Sequence, residues 1–166
     1  MTERGRTMEL IHKLQSFLNE ASEEEAQILS NAVDSLQKKR ETPYASYISS
    51  LMNMEYSLHK NETLSITIPI TPFLHNTLGM VHGGLTATLM DTAMGALANI
   101  TLADDEAAVT SEMKVNYTSP GVGKALRCDA SIVHKGRRSI VTEARVYGDH
   151  EELIALSTGT FFVVKQ

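Results

Sequence analysis

At 166 residues, with 42% hydrophobic and 21% charged side chains, the chain has the composition of one ordinary globular domain with room for a short appendage. A net charge of −5 argues against nucleic acid as a partner, because phosphate binding needs a basic face, and the single Cys128 rules out an internal disulfide framework. No apolar run follows the charged start Met1-Thr-Glu-Arg-Gly-Arg, and no window approaches the roughly 18–20 apolar residues that span a bilayer, so a cytoplasmic protein without a membrane partner is expected.

Taken in order, residues 8–19 place Leu10, Ile11, Leu14, Phe17 and Leu18 at helical spacing. Ser22 and Glu25 form a capping box for a second helix, with the stripe Ala26, Leu29, Ala32, Val33 and Leu36. Lys38, Lys39 and Arg40 sit in its last turn, where the helix dipole favours cations. Residues 1–42 hold six Lys or Arg against eight Asp or Glu, so this pair reads as a packing or dimerisation arm and not as a DNA-binding helix-turn-helix. Pro43 ends the arm, and Tyr44, Tyr47 and Ile48 lead inward.

The period then changes to two. Met52, Met54, Tyr56 and Leu58 alternate with polar residues, as do Leu64, Ile66, Ile68 and Ile70, which predicts a hairpin with one buried face. Pro69 places the second strand near its end or at an edge. A loop from Thr71 to Met80 precedes a helix over about 84–102. Strands are predicted at 109–117, 124–135, 139–147 and 152–164, separated by Ser119-Pro120-Gly121, Gly136-Arg137-Arg138 and Gly148-Asp149. The fold class is thus α+β: an antiparallel sheet wrapped around one long helix, with an N-terminal helical arm over 1–43 and the main domain over 44–166. The helix is more apolar than one sheet can cover, which asks for a strongly curved sheet or a second subunit.

The chemistry concentrates at Asn76 to Asn99. Gly83 and Gly84 open the helix, so their amides are among the unpaired donors at its positive end. Such amides suit an oxyanion, although a glycine turn can also serve only to start a helix tightly against a strand. Asp91 is the lone charge of the helix and shares a face with Gly84, Thr88, Gly95 and Asn99, a face with room for a ligand. It reads as a nucleophile or general base, or as a structural carboxylate bonded to nearby threonines. The histidines show no paired spacing, so no metal is expected. Cys128 alternates with Leu126, Ala130 and Ile132 and reads as core.

Asn76, then His82-Gly83-Gly84, then Asp91 resembles the hotdog-fold thioesterases of the PaaI type over roughly residues 44–165, including the strand from Thr110 to Pro120 and the Lys135-Gly136-Arg137-Arg138 turn. The resemblance implies a hotdog fold and hydrolysis of acyl-CoA thioesters, aryl or medium-chain. It implies that Asn76 and the Gly83 amide hold the carbonyl and that Asp91 attacks it or activates water. His82 would orient the loop or touch the carbonyl, and Thr110 would place the water. Gly84, Lys135, Arg137 and Arg138 are expected to bind substrate, the basic residues through the phosphates of coenzyme A, although a solvated hairpin turn competes with that reading. Coenzyme A enters only as part of the substrate, and no cofactor is implied. In similar enzymes the acid faces the Asn and Gly of the partner subunit, so a homodimer or a tetramer is expected. Met52, Met54, Met80, Met90 and Met94 are candidates to line the acyl pocket. The alternative is a non-enzymatic acyl-CoA sensor or scaffold on the same domain.

Overall fold

The computed structural model describes residues 3–42, 45–60 and 62–166. Pro43, Tyr44 and Asn61, which the sequence reading places at the end of the arm and in the hairpin turn, lie outside the described residues. Two helices form the arm, α1 (Glu3–Glu20) and α2 (Glu23–Glu41). The capping box is in place: Glu25 N–H donates to Ser22 Oγ at 3.2 Å, and Glu25 Oε2 accepts from Ser22 N–H at 2.8 Å. Helix α2 packs on the short helix α3 (Tyr47–Leu51) and on a 3-10 turn at Pro72–Leu74.

Strands β1 (Glu55–Leu58), β2 (Leu64–Pro69), β3 (Glu106–Tyr117), β4 (Ala125–Lys135), β5 (Ser139–Tyr147) and β6 (Leu153–Lys165) form one antiparallel sheet in the order β1-β2-β4-β5-β6-β3. Helix α4 (Gly83–Ile100) lies across one face of it and touches every strand from β2 to β6. Leu89, Met90, Ala93, Met94 and Leu97 of α4 are fully buried against Ile66, Ile68, Leu126, Ile140, Ile154 and Phe161 of the sheet. This is the hotdog architecture.

Three expectations need correction. Met52 ends α3 and Met54 precedes β1, so the first strand is four residues long and exposed throughout. A short edge strand has a neighbour on one side only, and Tyr56 and Leu58 face grooves instead of the core. Of the candidate lining methionines, Met52, Met90 and Met94 are closed into the core, Met54 edges a small pocket with Ser49 and Tyr56, and Met80 is partly exposed. Pro69, by contrast, stands where its missing N–H predicts, at the last residue of β2.

The long strand β3 is an edge. Its register with β6 shifts between Thr110 and Glu112, a bulge that leaves Ser111 as the extra residue. The bulge changes the inward parity: Thr110 reaches α4, and so do Met113 and Val115 three and five residues later. Asn99 ties this edge down by accepting from Ala108 N–H at 2.9 Å while its own amide donates to Gly95 O at 2.8 Å.

Candidate active site

The segment before α4 is a small hairpin. His75 bridges Val81, and Asn76 N–H donates to Met80 O at 2.7 Å. Gly79 turns the chain at φ +74°, a conformation that disfavours any side chain. Asn76 Oδ1 accepts from Leu78 N–H at 2.8 Å and Met80 N–H at 3.3 Å. With that oxygen occupied, the Nδ2 amide is the group left to donate outward.

His82 is the N-cap of α4, and its Nδ1 accepts from Gly84 N–H at 3.0 Å. That bond requires Nδ1 to be unprotonated and puts the proton of the neutral ring on Nε2. It also corrects the reading of Gly84 as a substrate-binding donor: its amide is already satisfied by the capping histidine, as helix starts demand. Gly83 N–H has no partner among the described residues. Tyr117 Oη donates to Gly83 O at 2.6 Å, and its ring lies 3.3 Å from where a Cβ on Gly83 would stand. Any larger residue at Gly83 would push this brace away.

Asp91 is half-buried and stands on the face predicted for it, not in the core. Thr110 Oγ1 donates to Asp91 Oδ1 at 2.8 Å. The pair opens into a groove of about 570 Å³ with Gly95, Ala96, Ala108 and Phe161 as its apolar walls. A Cβ on Gly95 would come within 3.1 Å of the Phe161 ring, so glycine here both admits the ring and keeps the groove open. The opposite wall is Tyr56, Ser46, Ser49 and Thr42, contributed by β1, α3 and the end of the arm. Periodicity alone assigns Tyr56 to a buried strand face and gives no role to the serines; their place in the groove follows from how α3 folds back on β1. Burial raises the Tyr56 hydroxyl above its ordinary pKa, against a smaller opposing effect of Ser49.

The basic residues divide. Lys135 Nζ donates to Thr101 O at the carbonyl end of α4, where a helix offers unpaired acceptors, so the lysine is engaged away from the Asp91 groove. Arg137 and Arg138 are exposed on the β4–β5 turn, next to the β6 residues Phe162 and Val163. Cys128 is fully buried, and burial pushes its thiol far up, which removes it as a nucleophile.

Asn76, His82 and Gly83 are thus grouped at the start of α4, and Asp91 with Thr110 forms a second group. Asp91 is eight residues beyond Gly83, about 12 Å along a helix that rises about 1.5 Å per residue.

This arrangement belongs with known proteins. A model of the thioesterase superfamily matches residues 78–155. A Bacillus halodurans protein solved with CoA, BH2602, superposes with a TM-score of 0.86 at 47% identity over 90% of this chain and 99% of that one. ComA2 of Bacillus subtilis, provisionally named an esterase, is 31% identical over 103 residues, 60% of this chain and 82% of that protein. The medium/long-chain acyl-CoA thioesterase YigI of Escherichia coli is 22% identical over 127 residues, 68% of this chain and 82% of YigI. The chain belongs to the thioesterase superfamily.

Proposed function

We propose that the chain hydrolyses acyl-CoA thioesters at a site shared between two copies, with Asp91 of one chain facing the Asn76, His82 and Gly83 donors of the other. The observation that carries this is the separation within one chain. Attack on a carbonyl carbon needs an approach of about 3–3.5 Å while the carbonyl oxygen sits within about 3 Å of its donors. Groups about 12 Å apart along one rigid helix cannot do both. The twelve-residue open edge of β3 offers backbone for a second copy to pair with. Exposed Val109 and Phe162 at that side of the sheet add apolar area to cover.

Gly83 N–H and Asn76 Nδ2 would receive the thioester carbonyl, with His82 Nε2–H beside them. These donors are fixed before charge develops on the oxygen, which is what makes them effective. Thr110 holds Asp91 Oδ1, leaving Oδ2 to act. As a base, Asp91 takes a proton from water while the water oxygen bonds to the carbonyl carbon. The C–S bond then breaks, and the thiolate of coenzyme A leaves and takes up a proton. As a nucleophile, Oδ2 itself bonds to the carbon, the thiolate leaves, and water cleaves the resulting anhydride. Arg137 and Arg138 are candidates for the phosphates of coenzyme A. CoA bound to BH2602 and the acyl-CoA activity named for YigI support this substrate class.

The test is thiol release from a panel of aryl and medium-chain acyl-CoAs by wild type, Asp91→Asn and Asn76→Ala. Wild-type turnover and two inactive variants are expected. Mixing the two variants should restore roughly a quarter of wild-type activity, since half the dimers then carry one intact site. No turnover by wild type on any member of the panel would overturn the hydrolytic reading. Turnover without recovery on mixing would overturn the shared site.

A further inference from the structure

The far wall of the Asp91 groove is polar in composition but not in what it offers a ligand. Thr42, Ser46 and Ser49 line it, yet each hydroxyl proton is already committed. Thr42 Oγ1 donates to Lys38 O, Ser49 Oγ to Ser46 O and Ser46 Oγ to Ser49 Oγ, each at 2.9 Å. These bonds close the end of α2 and the start of α3, where a helix leaves backbone groups to satisfy. Across the groove, Gly95 O and Ala108 O both accept from Asn99 Nδ2, at 2.8 and 3.4 Å. Away from Asp91, then, the surface that meets a ligand is set by Ala96, Ala108, Phe161 and the Tyr56 ring, and it suits an unsubstituted apolar group. The pantetheine arm of coenzyme A carries amides that would go unpaired there, so the acyl half of a thioester is the half that fits.

Tyr56 closes this groove. With Thr42, Ala45 and Ser49 it also lines a smaller space of about 100 Å³, edged by Ser50 and Met54 and with exposed Lys38 at its rim. Tyr56 Oη donates to Met54 Sδ at 3.7 Å, and Met54 lines only the smaller space, so the ring stands as the partition between the two. A thioether is a weak acceptor, so this contact orients the ring without holding it tightly. We infer that Tyr56 sets the length of the acyl group: an alkyl chain runs from Asp91 along the apolar walls and ends against the phenol ring. This rests on the reading of the groove as the acyl side of a thioester site. Tyr56 touches no reacting atom, and its part is specificity. Without the ring the groove would run on into the space edged by Met54, and longer chains would bury more of their surface.

Binding of S-alkyl-CoA thioethers, which cannot be hydrolysed, reads this stop directly. In calorimetric titrations of the whole chain with S-butyl- to S-hexadecyl-CoA, wild-type affinity should rise by up to roughly fourfold per methylene until the chain meets the ring, and fall beyond that length. Tyr56→Val keeps a strand-forming residue. It should bind S-butyl-CoA within about twofold of wild type and the chains that wild type rejects at least about tenfold more tightly. Tyr56→Phe, which keeps the ring, should reproduce the wild-type limit, and the bulkier Tyr56→Trp should shorten it. One limit shared by wild type, Tyr56→Val and Tyr56→Trp would overturn the inference. So would an equal change at every length, a shift in Tyr56→Phe as large as in Tyr56→Val, or no binding of any thioether. Hydrolysis is read separately: acyl-CoA turnover with an unmoved limit removes the stop and leaves the catalytic reading, whereas a moved limit without turnover does the reverse.

Discussion

The two faces of α4 obey different rules. One face carries Leu89, Met90, Ala93, Met94 and Leu97, all closed against the sheet, where interiors pack as tightly as organic crystals. The other carries Gly84, Thr88, Asp91, Gly95 and Asn99, and each of its polar side chains has a specific bond: Thr88 to Gly84 O, Asp91 from Thr110, Asn99 to Gly95 O and from Ala108. The first face is held by area removed from water and tolerates only neighbours of the right volume. The second is held by directed bonds and leaves space, and that space lets a helix in the middle of a domain present a carboxylate to a ligand.

If that division is right, substitutions on the two faces should separate activity from stability. Asp91→Asn should lower kcat at least about a thousandfold, about 4 kcal/mol of transition-state stabilisation, with the melting temperature unchanged. A matching fall in melting temperature would make Asp91 structural. Leu89→Ala on the core face should cost about 2–5 kcal/mol in a denaturant titration, compared at equal chain concentration so that self-association does not shift the midpoint. Activity per folded chain should stay close to wild type. Thr110→Val removes the hydroxyl that holds Asp91 Oδ1 while keeping a β-branched strand residue, and should lower kcat about tenfold with KM unchanged. An effect on KM alone would assign Thr110 to substrate binding instead.

Asn99→Ala tests the boundary of the division. Although on the groove face, Asn99 bonds the backbone of edge strand β3, so its loss should cost about 1 kcal/mol of stability and little activity. Hydrogen exchange at Ala108 should quicken in this variant, and unchanged protection there would show that β6 alone holds the edge.

Most of the architecture was legible in the sequence because it rests on local rules. Ser22 and Glu25 announced a helix start, the glycine and proline turns separated four long strands, and the order of periods required one helix on one antiparallel sheet. The small-residue face of α4 followed from 3.6-residue spacing alone, and Asp91 stands on it. The misreadings have one kind of cause. Periodicity says which side chains share a face but not what covers that face. Met52, Met90 and Met94 therefore looked free to line a pocket, yet they fill the core, while Met54 does edge a small pocket beside Tyr56. Nor does any local pattern say that Lys135 will donate to Thr101 O at the carbonyl end of α4, where it lines a second groove with Leu58 and Ile100. Gly84 N–H looked open because no sequence rule says that His82 will turn its Nδ1 onto it.

By itself the sequence determined the elements, their order and the acid's place on an open helix face, since capping, turn chemistry and hydrophobic period act over a few residues. Only the tertiary structure decided what that acid touches. The bulge at Ser111 aims Thr110 at Asp91, Tyr117 braces Gly83 across the gap from β3, and α3 carries Ser46 and Ser49 to the groove's far wall. These contacts join residues far apart in the chain, and their register depends on the packing of the whole sheet against α4, which no local pattern encodes.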